Sequence, residues 1–387
     1  MILAEYIFHF CAIALFINYL IFPFLMVLCS KKEKLYSPFQ PSITIVCAAY
    51  NEESVIAEKI ASIANSDYPL TKIEVLVGND NSTDKTKKIL DQLSVEYDFL
   101  KTFHFHSRTG KPRIIEKLVQ ASKNQIIIST DANILFASNT IEQLVAPFDN
   151  EKIGLVDSVI LATNIHKGGI SQQEQGYTNI EAKIKNGEGR LFGAMMGPFG
   201  GCFAIRKKLF TAIPKNFLVD DFYLCMNVLR QGYKSINNLA AIVYEDISNQ
   251  TSEEYRRKKR IAAGNFQNLF AFPTLWLNPL NSSFIPFWLH KIIRWFGPFL
   301  LVGLLVSNIL ILFQDHATIF SKIVLIGQLF LYFGAIIDII LKKINIHAVL
   351  LRYCTHLVTM NAALAAGFFQ YCAGISSSIW EPTKRNQ

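Results

Sequence analysis

The sequence predicts an α/β fold with a doubly wound, mainly parallel sheet, attached to apolar helices at both ends of the chain. Between positions 43 and 130, short apolar runs alternate with segments whose apolar residues recur at helical spacing. Such an order is typical of a parallel sheet with helices on both faces, where ligands bind beyond the carboxyl ends of the strands. The composition agrees, because 51% of the 387 residues are hydrophobic and only 18% are charged.

The elements of the sheet domain follow from this periodicity. The run ITIVCAAY has the β-branched residues of a strand, whereas the segment after it places its apolar residues on one helical face. The predicted order is strand 43–50, helix 52–65, strand 73–78, helix 82–93, strand 101–106, helix 111–122 and strand 125–130.

The N-terminal segment predicts a transmembrane helix within residues 1–30. Tyr6 to Cys29 contains no Lys, Arg, Asp or Glu and, at about 1.5 Å per residue, is long enough to cross a hydrocarbon core of about 30 Å. Glu5, in place of a basic cluster, argues against the alternative of a cleaved signal peptide. Lys31, Lys32 and Lys34 follow the span, so the middle of the chain is expected in the cytoplasm.

The C-terminal part predicts further membrane segments. Residues 284–295 mix Trp and basic residues with apolar ones, which favours a helix in the membrane interface. Two spans are expected next, at Phe296–Phe313 and Ile319–Leu341. Arg352 and Asn361 interrupt the last apolar stretch, so residues 347–374 are expected to form an interfacial or re-entrant helix pair.

Several classes of protein are disfavoured. The seven cysteines include no C-x-x-C pair, so neither a zinc cage nor a disulfide framework is indicated. The net charge of +8 comes from residues beside the apolar segments and in one helix, which favours contact with anionic lipid and argues against nucleic acid as a partner. The absence of G-x-G-x-x-G and of G-x-x-x-x-G-K-[ST] argues against a dinucleotide oxidoreductase and a P-loop NTPase.

Oxygen-bearing side chains follow two of the predicted strands. In EVLVGNDNSTDKT, Asp80 and Asp84 come directly after a buried strand; they either serve a nucleotide or simply make a turn and a helix cap. In IIISTDANILF, Asp131 and Asn133 repeat the same layout. Their oxygens suit a hard cation such as Mg²⁺ or Mn²⁺.

Four stretches then resemble successive blocks of one family. They are PSITIVCAAYNEESVIAEKIASI, YPLTKIEVLVGNDNSTDKT, TGKPRIIEKL and STDAN. In order, spacing and strand context, across about 41–136, they are similar to the nucleotide-binding half of the family 2 glycosyltransferases of the GT-A fold. The resemblance implies that Asp80 holds the uracil of a UDP-sugar and that Asp131 is the first member of an Asp-x-Asp metal motif. Asn133 departs from that motif, because an amide is a weaker metal ligand than a carboxylate.

The resemblance also implies a lining for the donor pocket. The residues it assigns to the nucleotide are Ala48, Tyr50, Asn51 and Glu52, with Gly110 and Lys111 at the phosphate or the uracil.

The second half of the domain carries two further motifs. Asp220 and Asp221 open a predicted helix, where acids either cap the helix or act as a general base. The pair resembles the Glu/Asp-Asp motif of the family, in which the second acid, Asp221, aligns with the catalytic base. A single base with a metal-bound UDP leaving group implies inversion at C1.

A basic helix start, YRRKKRI, is either a solvated or lipid-facing charge run or part of the site. It resembles the Gln-x-x-Arg-Trp motif of the family in degenerate form, with Arg257 at the Gln position, Arg260 at the Arg position and Ile261 at the Trp position. Arg260 would neutralise the diphosphate as UDP leaves. The intact motif accompanies processive synthases, so processivity stays open.

These features predict a metal-dependent, inverting, multi-pass enzyme of the cell membrane whose catalytic domain is cytoplasmic. A UDP-sugar would be the donor, and a polysaccharide or lipid-linked acceptor at the membrane would receive the sugar. The alternatives are transfer to a lipid such as a polyprenyl phosphate or a ceramide-like acceptor, and a non-catalytic nucleotide-binding partner of a polysaccharide export complex. The expected organisation is 1–30 transmembrane helix, 41–150 donor-binding half, 151–283 acceptor-binding half, 284–295 interfacial helix, 296–375 transmembrane and interfacial helices, and 376–387 cytoplasmic tail.

Overall fold

A computed structural model describes residues 2–30, 36–163, 171–246, 251–313, 317–344, 346 and 348–375. Within these ranges the strands form one sheet. They are β1 (Ile43–Ala49), β2 (Ile73–Asn79), β3 (Leu100–His104), β4 (Ile126–Asp131), β5 (Leu135–Phe136), β6 (Ile153–Ala162), β7 (Cys202–Arg206) and β8 (Lys234–Glu245).

The helices cover both faces of the sheet and both ends of the chain. They are α1 (Ile2–Phe16), α2 (Phe22–Cys29), α3 (Ile56–Ala64), α4 (Thr86–Glu96), α5 (Lys111–Ala121), α6 (Thr140–Val145), α7 (Ser171–Leu191), α8 (Asp220–Arg230), α9 (Thr251–Ala271), α10 (Pro273–Leu277), α11 (Phe284–Pro286), α12 (Ile293–Trp295), α13 (Gly297–Leu312), α14 (Ile319–Lys343) and α15 (Val349–Cys372). Two π-helical turns, Ile17–Ile21 and Phe287–Ile292, join α1 to α2 and α11 to α12.

The sheet has the strand order β3-β2-β1-β4-β7-β6-β8-β5. Strands β1 to β4 are parallel to their neighbours in this group, β7 is antiparallel to β4 and β6, and β8 is parallel to β6. The predicted α/β fold with a mainly parallel sheet is confirmed. Because β7 pairs directly with β4, the two predicted halves share one sheet and are not separate domains.

Alternate residues of the strands pack into two layers. Ile45 and Cys47 face the layer that contains α3, whereas Val46 faces α5 and α8 on the other side. All three side chains are buried. Burial of one such aliphatic side chain contributes about 1.5–3 kcal/mol, so both layers hold the strand ends in place.

The first helix of the sheet domain begins later than predicted. Helix α3 starts at Ile56, because Asn51 has a left-handed backbone with φ of 53° and the N–H of Glu52 donates to Oγ1 of Thr86 at 2.8 Å. Residues 51–55 therefore form a loop that is bonded to the neighbouring loop at the ligand edge of the sheet.

Two of the described helices are long and apolar enough to cross a membrane, Ile2–Cys29 and Ile319–Lys343. A third candidate arises only if Phe284–Trp295 and Gly297–Leu312, which meet at an angle of 64°, count as one span. The segment predicted as a separate span from Phe296 to Phe313 thus contains a helix of only 16 residues. The basic residues 31–34 and the tail 376–387, including their predicted cytoplasmic position, lie outside the described residues.

The segment predicted to lie in the membrane interface directs its polar residues into the protein. His290 is fully buried, with its ring nitrogens 2.6 Å from Oε1 of Glu188 and 2.8 Å from Oε1 of Glu181 on α7. Lys291 and Arg294 also lie 2.9 Å from carboxylate oxygens of Glu181. We call these five residues the α7 clamp. Burial raises the pKa of Glu181, but His290 and the two cations outweigh this effect and lower it well below its usual value.

The last apolar stretch is one continuous helix, α15, so the prediction of a helix pair at 347–374 is wrong. Its polar residues do not break the helix because each is accommodated by a contact. Arg352 lies 4.0 Å from Asp338 on α14, and the Asn361 amide nitrogen donates to the Leu357 carbonyl one turn earlier. Helix α15 packs against α9 at Gly367, where a Cβ atom would overlap that of Ala262.

Gly187 sets the distance between the sheet domain and the first apolar helix. A Cβ atom at this position of α7 would overlap the Met26 carbonyl oxygen on α2. We expect Gly187→Ala to destabilise the purified protein by about 1–3 kcal/mol, because the two helices must separate. A thermal unfolding curve recorded in detergent measures the effect.

Gly176→Ala is the matched control on the same helix, because its added Cβ atom would meet nothing closer than the Tyr353 hydroxyl at 4.0 Å. It should be neutral or stabilising by up to about 1 kcal/mol, from helix propensity alone. Equal melting temperatures for the two variants would contradict the packing argument.

Candidate active site

The carboxyl ends of three neighbouring strands carry the predicted donor residues. In the register of the sheet, Ala48 on β1 lies beside Asp131 on β4, and Ala49 lies beside Asn79 on β2. The loops after β1 and β2 are tied together, since Oδ1 of Asn51 accepts from the N–H of Thr83 at 2.9 Å. Asn51 and Glu52 therefore shape this edge through loop contacts.

Asp80 is a buried acid that follows β2 and bonds to the loop after β3. It is only 3% exposed and accepts hydrogen bonds from the backbone N–H groups of Thr109 at 2.6 Å and Gly110 at 3.0 Å. Nε of Arg108 donates to the same carboxylate at 3.2 Å, and its guanidinium carbon lies 3.3 Å from the centre of the Tyr50 ring. Tyr50 and Asp80 therefore both contact the side chain of Arg108, and Gly110 bonds to the same carboxylate.

The neighbouring polar residues have structural roles instead. Oδ1 of Asp84 accepts from the N–H of Thr86 at 2.9 Å, at the start of α4. Oδ1 of Asn79 accepts from the N–H of Ser82 at 3.2 Å. Of the two acids that follow β2, Asp84 fits the turn interpretation, because it accepts from the N–H two residues later, whereas Asp80 bonds to a different loop.

Asp131 and Lys111 form an ion pair at the end of β4. Nζ of Lys111 lies 2.6 Å from Oδ1 of Asp131. Burial lowers the pKa of Lys111, but Asp131 and Asp220 outweigh burial and raise it. Asn133 donates through its amide nitrogen to Oε1 of Glu245 at 3.2 Å, so its amide oxygen stays available.

This arrangement fits a divalent cation held by few protein ligands. No group of three or more His, Cys, Asp or Glu side chains that could hold a metal occurs within the described ranges. Asp131 and Asn133 line the cavity with Glu245 bonded to Asn133, and their carboxylate and amide oxygens are ligand types that Mg²⁺ and Mn²⁺ prefer. The ammonium of Lys111 already provides one positive charge next to the carboxylate of Asp131.

Asp220 and Asp221 begin helix α8. Burial, and then the neighbouring charge of Asp220, raise the pKa of Asp221 to about 7. Oδ1 of Asp221 accepts from the N–H of Phe222 at 2.8 Å. Gly200 has φ of +85°, and a Cβ atom there would overlap the Asp221 carboxylate. The glycine therefore provides the space in which Asp221 sits.

The basic start of α9 faces inward. Nη1 of Arg260 donates to the Leu218 carbonyl at 3.0 Å, and burial lowers its pKa. Arg257 lies 3.8 Å from Glu254, whose charge raises the pKa of the guanidinium. Lys258 lies 2.7 Å from Glu174 on α7. These contacts argue against a solvated charge run.

One cavity of about 810 Å³ connects these groups. Its walls include Lys111, Asp131, Asn133, Asp220, Asp221, Glu245, Arg257 and Arg260. The other predicted donor residues are outside this set and line the adjacent edge of the sheet around Asp80. They are Ala48, Tyr50, Asn51, Glu52 and Gly110.

Two family models match the chain and overlap within it. "Glycosyl transferase family 2" covers residues 44–213, and "Glycosyl transferase family group 2" covers residues 183–341. The chain belongs to the family 2 glycosyltransferases.

Relatives of this family 2 glycosyltransferase share part of the chain. A β-monoglucosyldiacylglycerol synthase of Nostoc sp. is 37% identical over 118 residues, which is 30% of this chain and 25% of that protein. A probable glycosyltransferase of Bacillus subtilis, YdaM, is 28% identical over 237 residues, 58% of this chain and 55% of that protein. The chain thus spans between a quarter and about half of the length of these relatives.

A solved structure supports the fold over nearly the whole chain. The mannosyltransferase of Pyrobaculum calidifontis in complex with GDP-Man and Mn²⁺ superposes with a TM-score of 0.71 and 19% identity, covering 95% of this chain and 99% of that one. The likeness establishes the GT-A fold.

Sequence reasoning missed two residues of this family 2 glycosyltransferase site. Glu245 ends strand β8 and lines the cavity, so it repeats the strand-then-acid layout that identified Asp80 and Asp131. Arg108 follows β3 in the segment SRTGKP. A positively charged residue in the loop next to Asp80, the acid predicted to hold the uracil, was the signal that could have identified it.

Gly200→Ala tests whether the position of the Asp221 carboxylate matters. The added Cβ atom must displace the carboxylate, so we expect sugar transfer to fall by about 100-fold or more, the contribution of a typical general base. Initial rates with membranes containing each variant measure the loss.

Gly232→Ala is the control, because Gly232 has a similar φ of +81° but no atom within 4 Å of an added Cβ. It introduces a similar backbone strain and should retain most of the activity. An equal loss of activity in both variants would show that strain alone is responsible.

Proposed function

We propose that the protein transfers a sugar from a UDP-sugar to a membrane-associated acceptor, with inversion at C1 and with Mg²⁺ or Mn²⁺ at the diphosphate. The observation that supports this most is the cavity whose walls bring Asp131, Lys111 and Asp221 together, at the same edge of the sheet as Asp80. Donor, metal and general base would then meet at one edge of the sheet, where ligands of doubly wound folds bind.

In this proposal the uracil replaces the guanidinium of Arg108. The base would stack on Tyr50 and donate its N–H to Asp80, whose carboxylate is held in a fixed orientation by two backbone N–H groups. Ala48, Asn51, Glu52 and Gly110 would complete the walls. Lys111 would move from Asp131 to the phosphate oxygens.

Asp131 and Asn133, with Glu245 beside them, would hold the divalent cation. When bound, the cation supplies positive charge to the diphosphate and makes UDP a better leaving group. With so few protein ligands, phosphate oxygens and water would complete the coordination.

Asp221 would act as the base, taking the proton of an acceptor hydroxyl as that oxygen attacks C1. The C1–oxygen bond to UDP breaks as the new bond forms, and its electron pair stays on the diphosphate. Arg257 and Arg260, which line the same cavity, would neutralise the negative charge that develops there. One displacement with a single base gives inversion.

The apolar helices support a membrane location. Lys31, Lys32 and Lys34, which follow the first of them in the sequence, favour a cytoplasmic catalytic domain. The acceptor would be a growing polysaccharide or a lipid-linked sugar at the membrane surface. The relative named β-monoglucosyldiacylglycerol synthase supports the lipid alternative. A non-catalytic role is disfavoured, because Asp80, Asp131 and Asp221 are all present and suitably placed.

Asp221→Asn removes the base but leaves the shape of the site, so transfer should fall by about 10²- to 10⁴-fold while UDP affinity changes little. The measurement is incorporation from a panel of labelled UDP-sugars by membranes with Mg²⁺ or Mn²⁺, beside a UDP binding titration. An Asp221→Asn protein with normal activity would refute the base assignment. No turnover of any UDP-sugar by the wild-type protein, despite UDP binding, would favour the non-catalytic partner.

The raised pKa of Asp221 predicts a pH profile. The carboxyl must be ionised to accept a proton, so kcat/KM should fall about tenfold per pH unit below about pH 7 and level off above it. Asp220→Asn removes the neighbouring negative charge and should move this limb to lower pH. An unchanged limb in a variant that still turns over would show that another group controls the profile.

A further inference from the structure

The active-site cavity extends to the apolar helices. Beyond Asp221 its walls include Asn18, Tyr19 and Pro23 from the first apolar segment, and Leu357, Met360, Asn361 and Leu364 from α15. Trp295 lies between the two regions, with its ring centre 5.7 Å from that of Phe222, the residue after Asp221. We call the part formed by Asn18, Tyr19 and Asn361 the amide wall.

Two irregular turns meet behind the amide wall. The π-helical turns Ile17–Ile21 and Phe287–Ile292 contact each other, and Nδ2 of Asn18 donates to the Leu289 carbonyl at 2.5 Å. Asn18 is fully buried. Because this bond fixes its amide nitrogen, its amide oxygen must face away from Leu289. Such π turns occur frequently at functional sites.

Asn361 supplies a second oxygen in the same way. Its Nδ2 is used by the Leu357 carbonyl at 2.9 Å, and the residue is only 6% exposed. A Cβ atom on Gly297, at the bend before α13, would lie 3.1 Å from Oδ1 of Asn361 and 3.3 Å from the Tyr19 hydroxyl. The two polar atoms are therefore close neighbours.

The amide oxygens of Asn18 and Asn361 have no hydrogen-bond donor in the part of the chain that the structure describes. Buried acceptors usually have a partner, and both of these residues line the cavity, so a ligand there that donates hydrogen bonds would satisfy them. Nε of Arg294 on the same cavity also lacks an acceptor. A hydroxyl group fits both needs, because it donates and accepts.

An anionic headgroup fits less well. A phosphate would place its oxygens against the two amide oxygens. The nearby cations are also engaged, since Lys258 pairs with Glu174, while Lys291 and Arg294 pair with Glu181. The remaining wall is apolar, at Pro23, Leu357, Met360 and Leu364.

We propose that the amide wall binds the acceptor as a lipid with a neutral headgroup that carries several hydroxyl groups, such as glycerol or a sugar. Asn18 and Asn361 accept from hydroxyls that do not react, the apolar chains lie against Leu357, Met360 and Leu364, and the reacting hydroxyl reaches Asp221. This inference rests on the function proposed above and adds the class of acceptor.

The test compares acceptors with the full-length protein in detergent micelles, using the UDP-sugar that labels product in the panel. The acceptors are dioleoylglycerol and its monoglucosyl derivative, a polyprenyl phosphate, and a soluble oligosaccharide. The inference expects Asp221-dependent label in the neutral lipids. Label only in the polyprenyl phosphate or the oligosaccharide would overturn it and leave the proposed function intact. A protein that neither bound UDP nor used any donor would refute both this inference and the proposed function.

Asn361→Ala then tests the wall itself. Loss of one neutral hydrogen bond should raise the acceptor KM about 3- to 10-fold, with the dissociation constant for UDP unchanged. Asn308→Ala is the matched control, because Asn308 is also a buried helical Asn with a bonded amide nitrogen and an oxygen without a donor among the described residues. Unlike Asn361, it lies outside the cavity walls. Its acceptor KM should stay within about twofold of the wild type. Equal changes in KM for both variants would overturn the inference.

Discussion

The ion pair of Lys111 and Asp131 balances the charge at the centre of this protein. Asp131, Asp220 and Asp221 converge on one cavity because the sheet brings the end of β4 and the start of α8 to the same edge. Lys111 interacts with all three. In the function proposed above, a nucleotide diphosphate and a divalent cation would enter together, since either alone would leave a large uncompensated charge in a partly buried site.

The fold was predictable because its signals are local. The spacing of apolar residues between Ile43 and Asp131 predicts the alternation of strands and helices, and the structure confirms the α/β sheet. The start of α3 was not predictable, because it depends on the bond from Glu52 to Thr86 in a different loop. The helix predicted to break near Asn361 is continuous, since a polar side chain can bond to its own helix.

The candidate site was predictable where an acid follows a strand, as at Asp80 and Asp131, and the same pattern would have found Glu245. Arg108 was missed because its position depends on the ring of Tyr50 and the carboxylate of Asp80, which follow two other strands. The orientation of Asn18 was also out of reach, since a π turn has no clear sequence signal and the bond to Leu289 joins residues far apart in the chain. Such long-range contacts decide which polar atoms are left for a ligand.

The α7 clamp has a consequence for how this enzyme architecture can evolve. Glu181 and Glu188 belong to the sheet domain, whereas the groups that face them, His290, Lys291 and Arg294, belong to the segment that leads into the apolar helices. A sheet domain joined to different apolar helices would keep two buried carboxylates without their partners. This would destabilise the folded protein far more than the loss of the whole cluster. The sheet and its anchor are therefore expected to be inherited as one unit, with mutations on either side of the clamp constraining each other.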